Sequence, residues 1–361
     1  MTDRPQVRDD LALRPGYHSP QIDVDVRLNT NEAPTALPDS FDDALAAALR
    51  DIEWNRYPDR AVSALRAKLA DRYSVTSKEV FVANGSNEVL QTVLLTFGGA
   101  GRTAAVFEPT YAMHSQIAKT AGTNVVEGAR ADDFSLDLDE VRRVVKEHQP
   151  NVLFLCSPNN PTGVVDPPET VDEVLDIMSG TNGLLVVDEA YGQFAAASAV
   201  DKIADDVPMV VSRTFSKTWS MAAARLGYLL APEWIVDELE KVVLPYHLDS
   251  FKQLAGAIAL DFREDMDSQV GRIVSERERV ISELSTLPVS VWPSGANFFL
   301  FRAHDLSGDD VWQQLIDRSV LVRNTANWPR LENCLRVTIG TPAENDAFLA
   351  ALTEVVGTEG P

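Results

Sequence analysis

The sequence predicts an α/β protein: a three-layer α/β/α large domain with a mainly parallel sheet over residues 41–245, a smaller α+β domain over 246–361, and an N-terminal arm over 1–40. Three observations carry that expectation. Between 41 and 245, short apolar runs alternate with amphipathic stretches, the order expected of a sheet covered by helices. After Pro245 the texture changes to a long, charge-rich helical pattern followed by short strands. Residues 1–40 hold Pro5, Pro15, Pro20, Pro34 and Pro38 with little periodicity, which reads as an extended arm packing with the small domain.

In the large domain the strand candidates are VFVA (80–83), TAAVF (103–107), NVVEG (124–128), NVLFL (151–155), LLVVD (184–188), MVVSR (209–213) and LGYLLA (226–231), with helical patterns between most of them. Turn-forming residues fall at strand ends: Asn84-Gly85-Ser86, Glu108-Pro109-Thr110, Ser157 to Gly163, and Asp188-Glu189. In an open α/β sheet, ligands bind at the carboxyl ends of the strands, so polar residues there are the first candidates for function. The small domain reads as a helix over 251–285, strands near 289–293 and 297–302, a helix near 309–318, and strands near 320–323 and 334–339. No internal repeat is present.

A length of 361 residues fits about two domains with a sizeable core. The 54 acidic against 32 basic side chains give a net charge of −22, which repels phosphate backbones and anionic lipid and argues against nucleic-acid or membrane partners. The excess carboxylates are expected on outer helices, such as those bearing Asp42-Asp43 and Asp137 to Glu140. Cys156 and Cys334, far apart within apolar runs, read as buried free thiols in a reducing compartment. The first residues carry no apolar signal stretch, so a cytoplasmic protein is expected. The five histidines are scattered without ligand spacing, and no metal site is expected.

Chemistry concentrates in a few places. Lys217, in Arg213-Thr214-Phe215-Ser216-Lys217, follows an apolar strand and a hydroxyl-rich turn. Desolvation there would lower its pKa and permit Schiff-base chemistry, although a lone strand-end lysine is more often a solvated surface group. Eight residues on stands Arg225; with Thr214 and Ser216 it suits a phosphate monoester, and its bland reading is a surface salt bridge. Asp188 ends the run LLVV, where a carboxylate needs a cationic partner such as a pyridinium nitrogen; a helix N-cap or a magnesium ligand are the alternatives. Asp188-Glu189 also resembles a nucleotide-binding segment, but the companion G-x-x-x-x-G-K-[ST] loop is absent. Asn160, in Ser157-Pro158-Asn159-Asn160-Pro161-Thr162-Gly163, could aim an amide at a phenolate-like oxygen. Gly85, Ser86 and Asn87 open a helical run and offer free amides to an anion, or form a plain helix cap. Tyr111 could stack on a flat ring or lie in the core.

Taken together, Asn-Gly-Ser-Asn-Glu, Pro-Thr-Tyr, Ser-Pro-Asn-Asn-Pro-Thr-Gly, Asp-Glu-Ala-Tyr, Ser-Lys with an arginine eight later, and Leu335 to Thr341 resemble, in order, the fold-type I pyridoxal-phosphate aminotransferases of class I/II. The resemblance runs from about residue 14 to residue 356. Within them the closest likeness is to the histidinol-phosphate aminotransferases, through Leu28-Asn29-Thr30-Asn31-Glu32, Asn55-Arg56-Tyr57-Pro58-Asp59, Val320 to Arg323, and Asn333 to Arg336. Two departures are Ala33, where the family often has asparagine, and His114, where it often has tyrosine; neither is expected to touch the cofactor core, but both lie near regions that could shape the substrate pocket.

The resemblance implies pyridoxal 5'-phosphate as cofactor, carried by Lys217, which would also shuttle a proton between substrate Cα and cofactor C4′. Asp188 would keep the pyridine nitrogen protonated. Tyr191 and Asn160 would bond the ring oxygen, and Tyr111 would stack on the ring. Gly85, Ser86, Asn87, Thr214, Ser216 and Arg225 would hold the phosphate, joined by Tyr57 from the partner of a homodimer. Arg336, assisted by Arg323, would bind glutamate carboxylate or substrate phosphate, while Tyr17 and Asn31 close over the substrate. The implied reaction is ping-pong transamination between L-histidinol phosphate and 2-oxoglutarate, giving imidazole-acetol phosphate and L-glutamate in histidine biosynthesis. A phenylalanine-type aminotransferase or a phosphothreonine decarboxylase of the same branch is the alternative.

Overall fold

The computed structural model describes residues 5–8 and 20–357. In chain order its elements are β1 (Val26–Leu28), α1 (Asp39–Ala48), α2 (Ser63–Tyr73), β2 (Val80–Ala83), α3 (Ser86–Phe97), β3 (Thr103–Glu108), α4 (Met113–Thr120), β4 (Asn124–Ala129), α5 (Leu138–His148), β5 (Val152–Cys156), α6 (Thr170–Met178), β6 (Leu184–Asp188), β7 (Met209–Thr214), β8 (Gly227–Leu230) and α7 (Glu233–Glu240). There follow α8 (Ser250–Ala259), α9 (Arg263–Leu284), β9 (Val289–Val291), β10 (Phe298–Ala303), α10 (Gly308–Ile316), β11 (Val320–Asn324), β12 (Cys334–Thr338) and α11 (Pro342–Gly357).

Seven strands form one sheet in the order β2-β8-β7-β6-β5-β3-β4. The run from β7 to β4 is parallel throughout, and β8 alone is antiparallel to its neighbours β2 and β7. Side chains along a strand alternate between two cores. Leu185 and Val187 of β6 join Leu153, Leu155 and Val211 on one face, while Val186 joins Phe154 and Val210 on the other. Both faces are covered by helices, which makes the three layers and explains the continuous apolar runs. Each such valine or leucine, removed fully from water, contributes about 1.5–3 kcal/mol. Every parallel strand therefore delivers its carboxyl end to one edge of the sheet.

The second sheet, β1-β11-β12-β10-β9, is antiparallel apart from β1, which runs parallel to β11. The arm is thus not wholly irregular: Val26–Leu28 adds an edge strand to the small sheet, with Leu28 buried in that sheet's core. The helical pattern over 251–285 divides at a single 3₁₀ turn, Leu260–Phe262, into α8 and α9. Nor does the core divide at 245/246. Leu248, Ala255, Ala257, Ala259 and Met266 belong to the large domain's core, and only from Ile273 onward does α9 pack into the small one. Gly256 explains why: with no Cβ it lets α8 close onto Leu65 and Leu226.

Asp42, Asp43, Asp137 and Asp139 are exposed on α1 and at the start of α5, as expected for the excess charge. Asp137 caps α5 by accepting from the amides of Asp139 and Glu140 at 2.9 and 3.3 Å. Cys156 and Cys334 are free and buried. Among the described residues no helix is long and apolar enough to cross a membrane.

Candidate active site

A cavity of about 330 Å³ opens where the carboxyl ends of β5, β6 and β7 meet β11, β12 and the chain after β1. Its lining includes Lys217, Arg225, Arg323 and Arg336 against one carboxylate, Asp188. The pocket is therefore cationic inside a protein of net charge −22. Asn31, Ser86, Asn87, Tyr111, Asn160, Tyr191, Thr214 and Ser216, all singled out by the sequence, line it as well.

Lys217 stands just beyond β7. Its Nζ donates to the Thr30 carbonyl at 3.2 Å and lies 5.8 Å from the Tyr191 ring centre. Burial first, and then the positive charge of Arg336, lower its pKa from the usual 10.5 to about 7. With its pKa depressed, the folded protein resists protonating this amine, at a cost to stability that is full below pH 7 and fades toward 10.5. The same shift makes the amine a nucleophile at neutral pH. In protein free of carbonyl ligands, capture of Lys217 by a small aldehyde with cyanoborohydride should rise about tenfold per pH unit below 7 and level off above it. Peptide mapping across pH checks this, and a rate still climbing at pH 9 contradicts it.

Asp188 ends β6 at 2% exposure and is held by three donors. Its Oδ1 accepts from Ser212 Oγ and the Ala190 amide, both at 3.1 Å, and its Oδ2 pairs with His114 Nε2 at 2.9 Å. Here the structure corrects the sequence reading. His114 is fully buried on α4, stacked on Phe154 at 4.5 Å, and supports Asp188 from behind instead of shaping the substrate pocket. It is the second residue of α4, and only the tertiary fold brings it to Asp188, 74 residues away.

Gly85 precedes α3 with φ +83°, a conformation that glycine adopts freely. A Cβ there would meet Arg225 Nη2 at 3.1 Å, and one on Gly227 would strike the Ser86 amide. Arg225 itself has φ +51°, which costs a residue with a Cβ on the order of 1–2 kcal/mol. Its Nη1 reaches Ser216 Oγ at 3.4 Å. The amides of Ser86 and Asn87 precede the first bonds of α3, in which Glu88 and Val89 donate to the Gly85 carbonyl. Glycine, helix amides, hydroxyls and guanidinium thus form one anion cradle.

The far wall comes from the small sheet. Arg336 is 6% exposed, donates to Asn160 Oδ1 at 2.7 Å and to the Asn29 carbonyl at 2.9 Å, and lies over the Phe298 ring. The bond to Oδ1 directs the other half of the Asn160 amide, its donor, away from Arg336. Arg323 stands directly opposite Arg336 in the antiparallel register of β11 and β12. Tyr191 has its hydroxyl pKa pushed up to about 12, mainly by burial, and accepts from Asn31 Nδ2 at 2.8 Å, so its own proton remains available to the pocket. Tyr111 donates to Asn87 Oδ1 at 3.1 Å. Cys156 lines the cavity, but burial raises its thiol pKa, which disfavours the thiolate.

Three sequence-derived residues depart from the roles expected of them or lie outside the cavity. Asn31 is not a closing element: at 1% exposure and φ +54°, it is fixed in the pocket floor by Thr338, Tyr191 and Asn297. Tyr57 is 80% exposed, stacked on Tyr246 at 4.5 Å, and lies outside this chain's cavity lining. Tyr17 lies outside the described residues. Sequence reasoning gave no role to Trp328, which lines the cavity beneath Arg323.

The model of the family "Aminotransferase class I and II" matches residues 23–352. A histidinol-phosphate aminotransferase of Mycolicibacterium smegmatis is 44% identical over 98% of this chain and 94% of that protein. One of Streptomyces avermitilis is 42% identical over 97% and 96%. Among solved structures, the histidinol-phosphate aminotransferase of Sinorhizobium meliloti, in complex with pyridoxal-5'-phosphate, superposes with a TM-score of 0.89 at 23% identity over 99% of both chains. Likeness of this extent covers both sheets and every wall of the cavity: the chain belongs to the class I and II aminotransferases.

Proposed function

We propose that the protein is a histidinol-phosphate aminotransferase, moving the amino group of L-histidinol phosphate to 2-oxoglutarate. The observation that carries this reading is the pair Arg323 and Arg336, directly opposite each other across β11 and β12 at the cavity wall. Like charges in that position destabilise a sheet, so the arrangement makes physical sense around an anion that two guanidinium groups can share. A phosphate in one half-reaction and a dicarboxylate in the other both meet that need. The relatives' names agree with it.

The donor set fits pyridoxal 5'-phosphate. The clearance at Gly85 and the amides opening α3 suit its phosphate, and Asp188 suits a ring N–H. Lys217 is the amine that would take its carbonyl. When bound, the cofactor supplies an electron sink for the substrate Cα. The protein's own residues do the rest. Ser86, Asn87, Thr214, Ser216 and Arg225 anchor the phosphate, with Gly85 giving room. Asp188 holds a proton at the ring nitrogen, and its negative charge is kept in place by Ser212, Ala190 and His114. Tyr191 and Asn160 direct donors at the ring oxygen, and Tyr111 covers the ring. Lys217, its pKa lowered to about 7 by burial, moves the proton at Cα. Arg336 and Arg323 hold the distal anion of either substrate.

We place the enzyme in the cytoplasm, in keeping with its two unpaired buried thiols. We also infer a homodimer in which Tyr57 reaches the partner's cofactor phosphate. Its exposed ring, with Tyr246 stacked on it and Trp54 and Leu244 exposed in the same two segments, supports that inference.

Steady-state comparison of donors tests the main reading. Histidinol phosphate should exceed phenylalanine in kcat/KM by about 30-fold or more, since a charged donor bond to phosphate in a dry site is worth a factor of this size. Higher efficiency with phenylalanine overturns the reading in favour of an aromatic aminotransferase.

A further inference from the structure

We propose that Trp328 is a positioning residue of this pocket: its ring holds the Arg323 guanidinium inward beside Arg336, and thereby strengthens the binding of a substrate phosphate. The proposal rests on the reading of the site given above. Arg323 and Arg336 share one register position on neighbouring strands, so their charges push each other apart. An aromatic face helps to hold an arginine in that position without cancelling the charge that a phosphate needs, because it attracts a cation and carries no charge itself.

The geometry supplies that face. The Arg323 guanidinium carbon lies 5.5 Å from the centre of the Trp328 ring, and both residues line the cavity. The platform is fixed from behind. Trp328 packs against the cluster of Phe134, Leu300, Leu331 and Cys334. Its amide donates to the Thr325 carbonyl at 2.9 Å, and its carbonyl accepts from Leu331 at 3.1 Å. Thr325, fully buried, in turn donates through Oγ1 to the Cys334 carbonyl at 2.7 Å, tying the loop to the start of β12, two residues before Arg336. Ring, arginine and partner arginine are thereby referenced to the same pair of strands.

The test uses the cofactor-loaded enzyme and the variants Trp328→Phe, Trp328→Leu and Trp328→Ala, with histidinol phosphate and phenylalanine as donors and inorganic phosphate as competitive inhibitor. Loss of a partly desolvated cation–ring contact corresponds to about 2- to 30-fold. Trp328→Leu and Trp328→Ala should raise KM for histidinol phosphate and Ki for phosphate by about tenfold, with kcat within twofold. Trp328→Phe, which keeps a ring, should stay within threefold of the native protein. An unchanged phosphate Ki in Trp328→Leu overturns the proposal, as does a Trp328→Phe protein impaired as much as Trp328→Ala, which marks a merely structural tryptophan. Phosphate competition reports on the arginines whichever donor is preferred. A native enzyme that favours phenylalanine, with Ki still shifted in Trp328→Leu, overturns the histidinol-phosphate reading and leaves the role of Trp328 standing.

Discussion

Replacing Lys217 by alanine lowers kcat by about 10⁴-fold or more with the fold intact. The size follows from two losses in one side chain. A positioned base is worth about 10²–10⁴ in rate, and an amine that also takes up a carbonyl adds the whole covalent route. The environment is tuned for both duties: burial and Arg336 hold the amine near pKa 7, where neutral and charged forms coexist. The fold should survive, because among the described residues the Lys217 amine bonds only the Thr30 carbonyl, and its removal relieves a buried cation of its desolvation cost. Two measurements check the result: single-turnover kinetics with glutamate, and borohydride reduction of native enzyme followed by peptide mapping, which should attach the cofactor to Lys217 and nowhere else. A Lys217→Ala protein within tenfold of native activity would remove Lys217 from the mechanism.

Much of this site is legible before folding because a parallel sheet writes itself plainly. Strands buried on both faces read as unbroken apolar runs, so Asp188 after LLVV and Lys217 beyond MVVSR announce themselves as polar groups at carboxyl ends. What cannot be read is any relation set by register or by packing between distant segments. Arg323 and Arg336 are both visible as residues, but that they face each other depends on how β11 and β12 pair. His114 looks like an ordinary helix position, and only the seating of α4 against β3 and β4 lets its ring reach Phe154 and Asp188. Pro245 is a real break in texture, yet the contact of Gly256 with Leu65 and Leu226 carries α8 back to the large domain. Trp328 gives no signal, since its loop lacks periodicity and its partner is named only by the fold.

Asp188→Asn should lower kcat by about 10²–10³-fold and leave KM for histidinol phosphate within threefold. Removing one preorganised electrostatic partner of a developing charge has a cost of that order, and here the lost partner is the carboxylate that holds a proton on the ring nitrogen. The substitution is nearly isosteric, so the two bonds to Oδ1, from Ser212 Oγ and the Ala190 amide, can persist. The second oxygen is the critical one. His114 Nε2 faces Oδ2 at 2.9 Å, while His114 Nδ1 is buried without a hydrogen-bond partner. With the native carboxylate, the proton belongs on Nε2, where it has an acceptor. In Asp188→Asn an amide NH₂ takes that place, two donors would meet, and the proton must move to Nδ1, where it has no acceptor. The variant therefore loses rate through the missing charge and stability through a histidine forced into its worse tautomer. ¹⁵N shifts of the His114 ring should exchange their protonated and unprotonated nitrogens between native and variant proteins, and melting should fall by several degrees. The arginine pair is untouched, which is why KM holds while kcat collapses. A KM that rises with kcat preserved would place Asp188 with substrate binding instead, and remove it from the path by which the ring nitrogen keeps its proton.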